Sequence, residues 1–219
     1  MKKVLVILTG GTICMVENKS TGALRPAGQE EFRTYIPELF TYDDIQPELL
    51  EFKPLLDSSD INPDNWQKMA HAVYDNYSNY DGFVILHGTD TMAYSGSALS
   101  FMLDGLQKPV VFTGSQLPIG ILRSDAKENL LTAIEIAAAT DDDGNAIVPE
   151  VTIFFEDQLF RANRTTKRNA EHFSAFNSYN YPALAKAGVH ITYQPHLVHY
   201  EPAKKQLKLH DRTDCHVAV

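Results

Sequence analysis

Several short polar loops carry the residue types that acyl chemistry needs, at the ends of apolar runs. Thr9-Gly10-Gly11-Thr12-Ile13 follows the first of these runs. Paired glycines allow a sharp turn and a close backbone approach. Their N–H groups can line a nest for an anion or an oxyanion. Thr12 then sets a hydroxyl beside those donors, as a nucleophile requires. The same residues also read as a tight strand-to-helix turn whose threonine merely caps. A phosphate loop fits poorly, because no Gly-Lys-Ser/Thr ending follows.

His87-Gly88-Thr89-Asp90-Thr91 again places a hydroxyl after a glycine, now with a carboxylate next to it. Asp90 can fix a substrate ammonium by a charge-assisted bond, or it can cap a helix beginning at Thr91. His87 reads as a packed core histidine. Asp57-Ser58-Ser59-Asp60 offers small hydroxyls that can hold a carboxylate with help from a helix N-terminus; a plain Ser/Asp turn is the alternative. Thr113-Gly114-Ser115-Gln116 is a further polar turn. Asn163-Arg164-Thr165-Thr166-Lys167 brings a lysine among hydroxyls, where it can act as a general base, although most lysines are solvated surface groups.

These loops need a scaffold, and the pattern of the chain supplies one. Residues 4–8, 83–86, 110–112 and 151–155 are apolar runs expected of strands covered on both faces. Helical patterns lie between them. Asn62 before Pro63 marks a helix start, and Trp66, Met69, Ala70, Val73 and Tyr77 recur on one face. Ser124 is expected as an N-cap, with Asp125 in the first turn, ahead of a stripe of Ala126, Leu130, Ala133, Ile134 and Ala137. Asp141-Asp142-Asp143-Gly144-Asn145 is a solvated turn. The β-α-β-α order predicts a mostly parallel sheet with helices on both faces, and chemistry at the carboxyl ends of its strands.

The bulk numbers set limits. The 219 residues fit one large domain, or a domain and a fragment of a second. With 44% hydrophobic and 21% charged residues the composition is that of a globular protein. A net charge of -9 argues against a nucleic-acid partner held by a broad basic face. Cys14 and Cys215 form no CxxC pair, and no Cys/His cluster or i, i+4 histidine pair has metal-site spacing; His190, His196 and His199 are scattered. The run after Lys2-Lys3 is too short for a signal peptide, and no segment reaches membrane-spanning length. After about Gly188 the pattern becomes irregular. His216-Val217-Ala218-Val219 reads as the start of a strand, so the chain is expected to be cut inside a longer protein.

Together and in this order, residues 9–13, 57–60 and 87–92 and the tract Arg164-Thr165-Thr166-Lys167 resemble the bacterial L-asparaginase family. The run Gly82-Phe83-Val84-Ile85-Leu86-His87-Gly88-Thr89-Asp90-Thr91-Met92-Ala93-Tyr94, with residues 163–167, is similar to its cytoplasmic, type I branch. The resemblance covers essentially the whole chain. It implies a three-layer α/β/α domain with a mostly parallel, flavodoxin-like sheet, here residues 1–188, with residues 189–219 ending it and connecting towards a smaller second α/β domain that this chain lacks. It implies hydrolysis of the side-chain amide of L-asparagine to L-aspartate and ammonia through an acyl-enzyme. Carried over by residue, Thr12 is the primary nucleophile, and Thr89, Asp90 and Lys167 are the second threonine, its aspartate and the polarising lysine. Ser58 and Ser59 grip the α-carboxylate, Asp90 meets the α-ammonium, and Gly11, Gly88 and Thr89 line the substrate site, with the Thr89 N–H in the oxyanion hole.

No metal or organic cofactor is expected. L-asparagine is the small-molecule partner, with no nucleic acid or membrane, in a cytoplasmic homodimer or homotetramer. Two features depart from the family. Its mobile-loop tyrosine has no counterpart in residues 17–26, Glu-Asn-Lys-Ser-Thr-Gly-Ala-Leu-Arg-Pro. The missing second domain, which in the family lends groups to a neighbouring subunit's site, makes poor turnover by this chain alone the expectation. Two alternative readings are the amidase subunit of a tRNA-dependent amidotransferase and a non-catalytic amino-acid-binding module.

Overall fold

The apolar run near the N-terminus forms β1 (Lys2–Gly10), buried from Val4 onward. A hairpin of β2 (Met15–Glu17) and β3 (Leu24–Pro26) follows, then α1 (Gln29–Tyr35) and a long strand β4 (Ile45–Leu56). Next come α2 (Pro63–Asn76), β5 (Gly82–Leu86), α3 (Met92–Met102), β6 (Leu103–Asp104), β7 (Val110–Thr113), α4 (Ala126–Ala138) and β8 (Val151–Phe155). After these the chain is mostly strand: β9 (Gln158–Arg161), β10 (Thr166–Lys167), β11 (Phe176–Asn177), β12 (Ala185–Ala187), β13 (Ile191–Tyr193) and β14 (Lys208–Leu209). This computed structural model describes residues 1–213 other than Lys19 and residues 202–204.

The main sheet has the order β4-β1-β5-β7-β8-β9-β12-β13. Its first five strands are parallel, and the remaining pairings are antiparallel. In chain order the parallel strands lie second, first, third, fourth, fifth, the flavodoxin-like arrangement. The winding therefore reverses between β1 and β5. At such a switch point the loops leaving neighbouring strands part to opposite faces and open a crevice.

Alternation along the strands builds the two cores. Val4, Val6, Leu8, Val84, Leu86 and Val111 face α1 and α4, meeting Phe32, Leu130, Ala133, Ile134 and Ala137. Leu5, Ile7, Phe83, Ile85, Val110 and Phe112 face α2 and α3, meeting Met69, Ala70, Val73, Met92 and Leu99. The expected helical stripes are thus the packed ones.

β4 was not among the expected strands. It is the edge strand and pairs within the sheet only with β1. An edge tolerates Pro47 and Pro54, which break a strand signal in sequence. The expected start of α2 is observed: Asn62 Oδ1 accepts from Asp64 N at 3.0 Å and Asn65 N at 3.3 Å, and Asn65 Oδ1 accepts from Asn62 N at 2.9 Å. The start of α4 differs from expectation. Asp125, not Ser124, holds the cap position, although the Ser124 hydroxyl still accepts from Ala126 N at 3.1 Å. The Asp125 carboxylate makes no cap bond to the helix backbone and accepts instead from the N–H groups of Gln116 and Leu117. A carboxylate is the stronger acceptor, and here it holds a neighbouring loop. The acidic turn is as read: Asp141 Oδ1 accepts from Asp143 N at 3.0 Å and Asn145 N at 2.8 Å.

Beyond β13 the described residues stay on this body. β14 pairs with β6, and Gln67 Nε2 donates to Thr213 Oγ1 at 2.8 Å. Cys215 and the expected strand start at residues 216–219 lie outside the described residues. No helix among the described residues is long and apolar enough to cross a membrane.

The reciprocal cap at α2 gives the first prediction. Asn62→Ala should cost about 1 kcal/mol, the usual value of an N-cap, and lower Tm by about 2–4 °C for a chain of this size. A thermal melt checks it; an unchanged Tm would mean the cap contributes nothing.

Candidate active site

Three loops leave β1, β4 and β5 at the same end of the parallel sheet, around its switch point. Gly11, after β1, has φ 79°, a left-handed conformation suited to glycine. Its N–H donates to Leu56 O, at the end of β4, at 3.0 Å. A Cβ on Gly11 would collide with the backbone of Gly88, and a Cβ on Gly88 would collide with the Ser58 side chain. The three loops therefore touch because two side chains are absent. Thr12 opens the turn Thr12–Cys14 directly after Gly11, half-buried.

Threonines pin the sheet edge beneath. Thr9 Oγ1 donates to Leu86 O at 2.7 Å, tying β1 to β5, and Thr113 Oγ1 donates to Phe154 O at 2.9 Å, tying β7 to β8. His87 N donates to Thr113 O at 3.0 Å, tying β5 to β7.

Above that edge, Lys167 Nζ donates to Thr89 Oγ1 and to Asp90 Oδ1, both at 2.8 Å. Lys167 arrives from β10, far along the chain but held by pairing with β11. Thr89 is buried, the Lys167 side chain is 17% exposed, and that of Asp90 is 64% exposed. The ammonium is thus sheltered while its carboxylate partner faces outward. Ser58 Oγ lies 3.5 Å from Asp90 Oδ2, and Thr91 Oγ1 donates to Ser58 O at 2.6 Å. Ser59 is different: its hydroxyl donates to Asp57 Oδ1 at 2.7 Å, and Ser58–Asp60 forms a single turn of its own ahead of α2. Asp90 does not cap α3, which starts at Met92 with Thr91 in the cap position and no side-chain cap bond.

His87 is fully buried, as a core residue should be, and its environment fixes its tautomer. Nδ1 lies 2.7 Å from Gly88 O, which can only accept, so Nδ1 carries the hydrogen. Nε2, 2.8 Å from Ser95 Oγ, then accepts the serine hydrogen, and Trp66 Nε1 donates to the same oxygen at 3.0 Å. This relay from α2 through α3 holds the Gly88 carbonyl. Burial pushes the His87 pKa down to about 4, only partly offset by its bond to Gly88.

Sequence reasoning named Gln116 only as part of a polar turn and Asp125 only as a first-turn residue, and did not connect them or Asn129 to Thr89. Gln116 Oε1 accepts from Thr89 Oγ1 at 3.3 Å. Asp125 holds Gln116 N, and buried Asn129 donates to Gly114 O at 2.9 Å and to Asp125 Oδ2 at 3.2 Å. Asn129 stands in the middle of the apolar stripe of α4, and a polar residue at a core position was the available signal. Among the described residues no group of three or more His, Cys, Asp or Glu side chains is placed to hold a metal ion. The tyrosine-free segment after Thr12 is the β2–β3 hairpin, tied to α1 by a fork from Arg25 to Glu31, whose carboxyl that arginine holds down at about 2. Lys19 of that segment is outside the described residues.

The family model described as "Asparaginase, N-terminal" matches residues 3–199. The chain belongs to the asparaginase family. It is 47% identical over 191 residues to L-asparaginase 1 of Escherichia coli K12, covering 87% of this chain and 54% of that protein. The crystal structure of L-asparaginase I from Vibrio cholerae superposes with a TM-score of 0.82 at 42% identity, covering 95% of this chain and 60% of that one. A mouse protein named 60 kDa lysophospholipase is 47% identical over 171 residues, 78% of this chain and 29% of its own length. The chain spans about half the length of the bacterial relative it matches. Its asparaginase-type sheet is the three-layer α/β/α fold that the sequence implied, and the likeness to the Vibrio structure extends across it.

A neutral His87 makes a pH prediction. An unfolded histidine binds a proton near pH 6.5, whereas folded His87 resists it down to about 4. Its contribution to stability is full above pH 6.5 and is lost progressively as pH falls towards 4. In an NMR titration the His87 ring signals should stay constant between pH 8 and 5.5; a midpoint near 6.5 would contradict the assigned relay.

Proposed function

We propose that this chain carries the threonine-dependent amidohydrolase half of a protein that converts L-asparagine and water to L-aspartate and ammonia. The observation that carries the reading is the Thr89–Lys167–Asp90 set, joined by two 2.8 Å bonds beside the Gly11–Thr12 turn. It has the logic of a hydroxyl, a base and an orienting group. Thr12 attacks the side-chain amide carbon. Backbone N–H groups, that of Thr89 among them, receive the oxyanion, and ammonia leaves with the transferred proton. Lys167, in its unprotonated form, takes the hydroxyl proton through Thr89 and returns it. Water then cleaves the acyl-threonine in a second, equivalent step.

The substrate is a zwitterion, and the site offers a matching pair. Ser58 and Ser59 are assigned to the α-carboxylate, and the outward-facing Asp90 to the α-ammonium. The polar loops around Thr12 and Thr89 suit such a small ligand better than the lysophospholipid in the mouse relative's name. A homodimer or homotetramer in the cytoplasm is part of the proposal. So is a share of the substrate contacts coming from the part of the relatives' length that this chain does not span.

Ammonia release from L-asparagine by the full-length protein tests the reading. Thr12→Ala should lower kcat by at least about a thousandfold while leaving the fold intact; near-normal kcat would remove Thr12 from the chemistry. Asp90→Ala should weaken L-aspartate binding far more than succinate binding, measured by calorimetry. Equal losses for the two ligands would place Asp90 outside ammonium recognition.

A further inference from the structure

The Thr89 hydroxyl has two neighbours, and only one of them is a base. Lys167 Nζ donates to its oxygen at 2.8 Å. The other neighbour is Oε1 of Gln116, at 3.3 Å, which has no hydrogen and must accept the threonine's. The orientation of the Gln116 amide is settled by its other end. Nε2 donates to the carbonyl oxygens of Ala170 and His172, both at 3.0 Å, and neither oxygen can pair with Oε1. The Gln116 backbone is anchored separately, through its N–H to the Asp125 carboxylate.

The two carbonyls belong to a loop built to present them. Asn169 Oδ1 accepts from Glu171 N at 2.8 Å and His172 N at 3.2 Å, and Arg168 N and Asn169 N both donate to Ala175 O. This loop bridges β10, which carries Lys167, and β11. One hydrogen-bonded path thus runs from the Asn169 turn through the Gln116 amide to the hydroxyl of Thr89.

We propose that Gln116 is a positioning residue for Thr89: by accepting the hydroxyl hydrogen in the resting site, it fixes the Thr89 rotamer that keeps the oxygen 2.8 Å from Lys167, and from that rotamer the hydrogen turns to the lysine when the base acts. The inference rests on the amidohydrolase reading of the same site. Gln116 acts through Thr89, so losing it should affect the chemical step and spare ground-state binding.

The test is steady-state kinetics on the full-length protein with L-asparagine. Gln116→Met keeps the side-chain length and removes both hydrogen-bonding ends. Its kcat should fall about tenfold, the scale of one hydrogen bond made in the transition state, with KM within about twofold of the unaltered protein. Asn169→Ala loosens the loop carbonyls without touching Thr89. It should lower kcat about threefold in the same way, a fraction of one hydrogen bond's worth, again with KM kept; should Gln116→Met fail to fold, this variant decides. Unchanged kcat in either folded variant, or a raised KM at full kcat, overturns the inference while leaving the amidohydrolase reading standing. No ammonia release from the unaltered protein overturns both.

Discussion

Gly11 and Gly88 meet backbone to backbone, with Ser58 against the second, and a single methyl at either glycine would force the loops apart. Adjacent parallel strands lie about 4.8 Å apart, so the ends of β1 and β5 start as neighbours. At the switch point, however, their onward helices pass to opposite faces of the sheet, which draws the loops away from each other. Two positions without side chains keep the loops in contact long enough to set Thr12 and Thr89 beside one crevice. The hydroxyls that tie strand to strand beneath, Thr9 to Leu86 and Thr113 to Phe154, make that edge a rigid base.

The charges at the site are arranged for position more than for stability. Asp90 is mostly solvated, so its ion pair with Lys167 is screened and contributes little to folding. Lys167 itself is sheltered and needs a fixed partner to hold its nitrogen on the Thr89 hydroxyl. The outward oxygen edge of Asp90 remains open to a cation from solution. Buried His87, by contrast, carries no charge. It is there to hold a carbonyl, and its neutrality follows from desolvation and from a tautomer that satisfies Gly88 and Ser95 together.

What was legible in the sequence follows the same physics. β1, β5, β7 and β8 are covered on both faces and therefore read as plain apolar runs. α2 and α4 bury one face and read as stripes. β4 was hidden because an edge strand can carry prolines and charges, as residues 45–56 do. Ser124 was read as the cap of α4 because local spacing cannot show that the next carboxylate is claimed by a loop nine residues away in sequence. The motif residues Gly11, Thr12, Ser58, Gly88, Thr89, Asp90 and Lys167 were visible as loop chemistry. The bond from Lys167 to Thr89 spans 78 positions, and only the pairing of β10 with β11 and the fold of the sheet bring it about. Gln116 and Asp125 were visible only as part of a polar turn and a helix start, because the bond that carries Gln116 to Thr89 spans 27 positions; Asn129 was passed over inside an apolar stripe.

In the proposed function the loops after β1, β4 and β5 form one site for a small zwitterionic amide. A crystal structure of the full-length protein with L-aspartate bound tests it most directly. The α-carboxylate is expected at Ser58 and Ser59, the α-ammonium at Asp90, and the side-chain carboxylate between Thr12 and Thr89 with one oxygen on the Thr89 N–H. L-aspartate bound elsewhere, or bound here with its side-chain carboxylate directed away from both threonines, would contradict it.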